Sequence, residues 1–116
     1  MPLEITANNL KRKSDIKTLK LQNNEYAVTF FYYGDYEGDI ENGICDVGNL
    51  SMSCKPKGDV FPLEMMSGHI MLTVPHNTML LIEEIDDFQQ QIEKSKQTAI
   101  ELEAIMLEYF PIQKMK

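Results

Sequence analysis

The chain has 116 residues, enough for one domain and too few for two. Apolar residues make up 43% and charged residues 25%, and five Tyr and five Phe exclude a disordered polymer. Eighteen Asp and Glu against eleven Lys and Arg leave a formal charge of −7 and a pI near 4.7, which excludes non-specific nucleic-acid binding and attraction to an anionic membrane.

That charge is unevenly placed. Lys11, Arg12, Lys13, Lys17 and Lys20 face only Glu4 and Asp15 within the first twenty residues, and 1–15 reads as a basic N-terminal arm. Residues 21–54 hold no Lys or Arg but carry Glu25, Asp35, Glu37, Asp39, Glu41 and Asp46. The stretch from Gly58 to Glu93 again holds no Lys or Arg, with Asp59, Glu64, Glu83, Glu84, Asp86, Asp87 and Glu93. Nothing in the first twenty residues is apolar for long enough to form a signal-peptide core. The longest apolar runs, Phe30 to Tyr33 and Met79 to Ile82, hold four residues each, where a membrane span needs ~20. Cys45 and Cys54 read as reduced thiols, and the expected location is the cytoplasm.

In chain order, Ile16, Leu19 and Leu21 lead into Asn23-Asn24, after which Tyr26, Val28, Phe30 and Tyr32 alternate with Ala27, Thr29, Phe31 and Tyr33. A β-branched and aromatic run behind an Asn pair predicts a hairpin, because Asn tolerates the positive φ of a tight turn. Large residues on both faces place the second strand in the middle of a sheet. Gly34 to Asn49 reads as a long polar loop, Leu50 to Lys55 as a third strand, and Val60 to Ser67 as ambiguous between Pro62 and Gly68. His69 to Val74 reads as a fourth strand closed by Pro75.

From Thr78 to Phe110 there is no Gly or Pro, and Pro111 stops the run. Asn77 is the expected N-cap, with Glu83, Glu84, Asp86 and Asp87 at the positive end of the helix dipole. Leu81, Ile85, Phe88, Ile92, Ser95, Ala99, Leu102, Met106 and Tyr109 follow at alternating steps of four and three, a heptad seam with Ser95 and Ala99 as its weak centre. A helix over 78–110 spans ~50 Å against a domain diameter of ~35 Å, so it either overhangs and pairs with a second copy or breaks near 95–98. The absence of breakers favours the unbroken form.

Few residues carry recognisable chemistry. The carboxylates from Asp35 to Asp46 resemble a calcium loop superficially, but Ile40 stands where that loop needs Gly and the last ligand is Asp. Cys45, Cys54, His69 and His76 are spaced unlike the ligand pairs of structural zinc sites. No nucleophile elbow or phosphate loop is present, so no enzyme, metal or cofactor is expected. In an extended loop the alternate carboxylates would point one way at ~7 Å intervals, loosely like successive phosphates.

The expectation is therefore a single α+β domain: a small, mostly antiparallel sheet of about four strands in 16–75, then one long helix over about 78–110. Its function is expected to be binding. Asp35, Tyr36, Glu37, Asp39, Glu41 and Asp46, with Tyr32 and Tyr33 as further aromatic anchors, would occupy a basic, nucleic-acid-binding site on a larger protein partner. A short acidic domain without catalytic motifs fits the profile of phage and mobile-element inhibitors of host nucleases, RNA-guided ones included, although no residue-level family motif appears. The alternative is a helix-mediated dimeric structural, assembly or regulatory protein with no inhibitory role, with Leu81, Ile85, Phe88, Ile92, Leu102 and Met106 at the seam; on either reading no direct contact with nucleic acid or membrane is expected.

Overall fold

Four strands form one antiparallel sheet in sequence order: β1 (Glu4–Asn8), β2 (Lys17–Gln22), β3 (Tyr26–Tyr32) and β4 (Leu50–Pro56). The computed structural model describes residues 2–73 and 85–113, with backbone alone for 85–88. Between β3 and β4 lie a short helix α1 (Tyr36–Glu41) and a 3-10 turn at Val47–Asn49. A second hairpin, β5 (Leu63–Met66) and β6 (His69–Leu72), precedes the long helix α2 (Ile85–Tyr109). The α+β arrangement of an antiparallel sheet followed by a long C-terminal helix is thus present.

The hairpin of β2 and β3 forms where the alternation placed it, and β3 is an interior strand. Its turn works differently from the expectation. Among the described residues Ser67 is the only non-glycine with positive φ, so the Asn pair does not supply a left-handed turn. Instead the Asn23 side-chain oxygen accepts from the backbone N–H of both Glu25 and Tyr26, at 2.8 Å each. This is the local side-chain turn that Asn favours.

Residues 1–15 are not a free arm. Glu4–Asn8 pairs with β2 as an edge strand, bulged between Ile5 and Ala7, and Leu3 and Leu10 are buried. The Leu3 N–H donates to Glu101 Oε1 at 2.9 Å, tying the N-terminus to α2. The Lys11-Arg12-Lys13 run becomes the exposed connection between β1 and β2. His69 to Leu72 is a strand as expected, but it pairs with β5 in a separate hairpin and does not join the main sheet.

Register assigns the sheet faces. Leu19, Leu21, Tyr26, Val28, Phe30, Tyr32 and Leu50 are buried on one face, and α2 contributes Leu102 and Met106 to the same core. α2 is continuous through 95–98, so no break occurs there. Ser95 is fully buried within it: its Oγ shares a hydrogen bond with the Tyr26 hydroxyl at 2.9 Å and accepts from the Phe61 N–H at 3.1 Å. The Tyr26 hydroxyl also donates to the Phe61 carbonyl. The weak centre of the seam is therefore a satisfied polar contact to β3. Leu81, the Asn77 cap, and the acidic pair Glu83-Glu84 lie outside the described residues.

Leu102 and Met106, expected at a dimer seam, are fully buried within the single chain. The seam faces the sheet from Ser95 onward because the sheet offers an apolar face that must be covered. Ile92 is half-buried, and the Ile85 and Phe88 side chains lie outside the described ones. Among the described residues no helix is long and apolar enough to cross a membrane.

Candidate protein-binding surface

The segment from Gly34 to Asn49, expected as a long polar loop, is folded instead. Asp35 caps α1, its carboxylate accepting from the Gly38 N–H at 3.3 Å. Gly43, with φ of 78°, ends that helix in the left-handed region that glycine enters without strain. Asp46 Oδ1 accepts from the Gly48 N–H at 2.8 Å and caps the 3-10 turn. Helical geometry abolishes the single-sided, phosphate-like carboxylate row, because residues two apart on a helix face opposite ways.

Tertiary contacts clamp the segment. The Tyr32 hydroxyl donates to the Asp39 carboxylate and accepts from the Asp46 N–H at 3.1 Å. The Tyr36 hydroxyl donates to the Tyr109 carbonyl at the end of α2, at 2.5 Å. The Cys45 N–H donates to the Pro111 carbonyl at 2.8 Å, and Cys45 and Ile112 form a parallel bridge. Phe110 sits at the hub, its ring centroid 5.7 Å from Phe30, 5.9 Å from Tyr32 and 5.6 Å from Tyr36. Such tilted and edge-on pairs add ~0.5–1.5 kcal/mol each beyond area burial.

These contacts divide the expected site residues. Tyr36 and Tyr32 are buried and cannot anchor a partner, and burial pushes the Tyr36 hydroxyl up to about 12. Asp39 is engaged by Tyr32. Asp35, Glu37, Glu41 and Asp46 remain exposed. Glu37 and Glu41 stand four apart on α1, a like-charged pair on one face with Cβ atoms ~5–6 Å apart. Asp35 and Glu37 line a groove with Lys11, Arg12, Lys13 and Lys17, so this end of the acidic surface meets the basic connection of the same chain.

Sequence reasoning named Tyr33 as an anchor but missed the aliphatic part of the surface. Tyr33 is 54% exposed and Ile44 46%, with Ile40 exposed between the carboxylates. Beside Ile44 a groove of about 340 Å³ is lined by Asp39, Ile44, Cys45, Asp46, Val47 and Gln113. Ile40 and Ile44, aliphatic residues inside a polar acidic stretch, were the available signal. Tyr33, Ile40 and Ile44 are thus exposed apolar side chains in the same clamped segment as the exposed carboxylates.

Among the described residues no three His, Cys, Asp or Glu side chains gather as a metal set, and Cys45 and Cys54 are both free thiols. His76 lies outside the described residues. No protein-family model, curated protein or solved structure matches the chain.

Proposed function

We propose that the chain is a small, non-catalytic binding protein that presents the 33–47 surface to a basic, nucleic-acid-binding site on a larger protein, and blocks it. The observation that carries this reading is the clamp on that segment. Hydrogen bonds from the Tyr32 hydroxyl to Asp39 on α1 and to the Asp46 N–H at the 3-10 turn, with the Phe110 cluster, fix a segment that exposes Tyr33, Ile40 and Ile44 along with Asp35, Glu37, Glu41 and Asp46. Residues 21–54 lack any Lys or Arg, and the cations that line a groove with this surface are Lys11, Arg12, Lys13 and Lys17 at its Asp35 and Glu37 end. Preorganisation lowers the ordering cost of binding, and exposed carboxylates steer a cationic partner and set its register. On this reading the partner class is the kind that phage and mobile-element inhibitors target, nucleases guided by RNA included.

The test is affinity capture from nuclease-treated bacterial lysate with two baits. One is the native chain and the other carries Asp35→Asn, Glu37→Gln, Glu41→Gln and Asp46→Asn. Asn retains the capping oxygen at both cap positions, so the second bait keeps its fold while losing charge. Asp39 is left intact because Tyr32 uses it. The expected result is one nucleic-acid enzyme on the native bait, displaced by added polyanion and absent from the neutralised bait. Equal capture by both baits at ~0.1 M salt, where charge acts over ~10 Å, refutes the reading.

A further inference from the structure

The β5–β6 hairpin has one face in the core and one in solvent. Leu63 opposite Leu72 and Met65 opposite Ile70 pack inward. Glu64 opposite Met71 and Met66 opposite His69 therefore form the outer face. Met66 is 64% exposed and Met71 47%, so two of the eight methionines stand in water on a single four-residue face. We propose that this outer face binds a soft monovalent cation, Cu(I) or Ag(I), through the thioethers of Met66 and Met71 and the imidazole of His69. This proposal is independent of the 33–47 surface.

Geometry supports the assignment. Directly opposed residues in an antiparallel pair have Cβ atoms ~4.5–5.5 Å apart, which describes Met66 and His69. Met66 and Met71 are diagonal neighbours at ~7–8 Å, still within reach of long side chains. Met71 lies two residues beyond His69 on β6, on the same side of the strand. Register thus places Met66 and Met71, both exposed, and His69, half-buried, at neighbouring positions on one face of the two strands. The two-residue connection fixes the register, since Ser67 (φ 51°) and Gly68 (φ 83°) both take the left-handed values of the tightest hairpin turn. α2 braces the same hairpin, the Ile70 N–H donating to Glu103 Oε1 at 3.3 Å.

Ligand chemistry selects the ion. Thioethers are soft, uncharged donors that favour Cu(I), whereas Ca²⁺ and Mg²⁺ take oxygen donors and structural Zn²⁺ sites are built from thiolate, imidazole and carboxylate. Two thioethers and one imidazole leave a monovalent charge unneutralised, and Glu64, opposite Met71, brings a carboxylate to the same face. The wrong partner for such a face is a hard divalent cation, which gains little from sulfur.

Silver nitrate is titrated into the native chain labelled at its methionine methyl groups, in chloride-free buffer, and followed by NMR. The expected result is saturation at one equivalent, with the Met66 and Met71 methyls and the His69 ring moving together. Met66→Leu with Met71→Leu, which keeps side-chain size on an exposed face, is expected to weaken Ag(I) binding by about 10–100-fold, and His69→Gln by about tenfold. Methyls that stay still while silver is taken up, as when the thiols of Cys45 and Cys54 capture it, overturn the proposal. No uptake at all does the same, as does unchanged affinity in the folded double variant. If that variant fails to fold, the methyl shifts of the native chain decide.

Discussion

Tyr32 ties α1 to the 3-10 turn with one oxygen: its hydroxyl donates to the Asp39 carboxylate on α1 and accepts from the Asp46 N–H that opens the 3-10 turn. The ring beneath that hydroxyl is fully buried and packs edge-on against Tyr36, centroids 5.8 Å apart. Strand β3 therefore reads out into the surface directly. Its last core residue is also the post on which the candidate binding segment hangs.

Tyr32→Phe tests that relationship, since it keeps the ring and removes only the oxygen. The Asp39 carboxylate and the Asp46 N–H each lose a partner, and an unsatisfied group in a partly buried place costs ~1–3 kcal/mol. Denaturant unfolding is expected to show a loss in that range. Hydrogen exchange is expected to accelerate at Asp46 and at Asp39, whose N–H donates to the Asp35 carbonyl at 2.9 Å, before it does so in β2 and β3. A uniform acceleration across the sheet would mean that Tyr32 serves the core and not the segment.

What sequence could show divides along the range of the interactions involved. The β2–β3 hairpin, β4 and the long helix are governed by local pattern: alternation from Tyr26 to Tyr32, and no Gly or Pro through the helix. β1 was equally local, with Leu3, Ile5 and Ala7 alternating against Glu4, Thr6 and Asn8, but the basic run behind it outweighed that short signal. α1 was not legible, because six residues with an internal glycine make a poor isolated helix. It is held by Tyr36 reaching Tyr109, 73 positions away, and by Asp39 reaching Tyr32. The carboxylates of the candidate surface could be read from composition. Which of them face water could not, since that depends on these distant partners.

Ser95 offers a second test of the same point. Replacing it with Leu would perfect the heptad seam on paper, yet Ser95 is fully buried between Tyr26 and Phe61. Ser95→Ala removes the shared hydroxyl contact and is expected to destabilise by ~1–3 kcal/mol. Ser95→Leu is expected to be worse, since overpacking adds ~1–3 kcal/mol to the lost hydrogen bonds. Urea unfolding of the three proteins checks the order; a Leu variant as stable as the native chain would contradict the packing of α2 on β3.

Alkali should unfold the chain through its buried phenols and thiols. Burial raises Tyr26, Tyr32 and Tyr36 above the ordinary 10.0, Tyr36 to about 12, and raises Cys45 and Cys54 above 9.0. In each case the folded chain holds its proton more tightly than the unfolded chain. The stability from these groups is complete below pH 9 and declines as pH rises, first through the thiols and then, above pH 10, through the three tyrosines. The expected urea midpoint therefore falls from pH 9 onward and most steeply between 10 and 12. Ultraviolet titration should show Tyr26, Tyr32 and Tyr36 ionising late and together with unfolding. Early ionisation of these three without loss of structure would contradict their burial.

Leu102 decides whether the helix seam acts within the chain or between chains. It is fully buried on α2 beside Met106, under the core face of the sheet. Leu102→Ala removes a buried isobutyl group and leaves a cavity, so the expected loss is ~2–5 kcal/mol of folding stability. Sedimentation of the folded fraction is expected to give the same mass as the native chain, because no intermolecular contact was removed. An intermolecular seam predicts the opposite pattern. The variant would dissociate to a lighter species, with a concentration-dependent melting temperature in the native chain that is lost on substitution. The two readings separate in one sedimentation series run on both proteins at matched concentration.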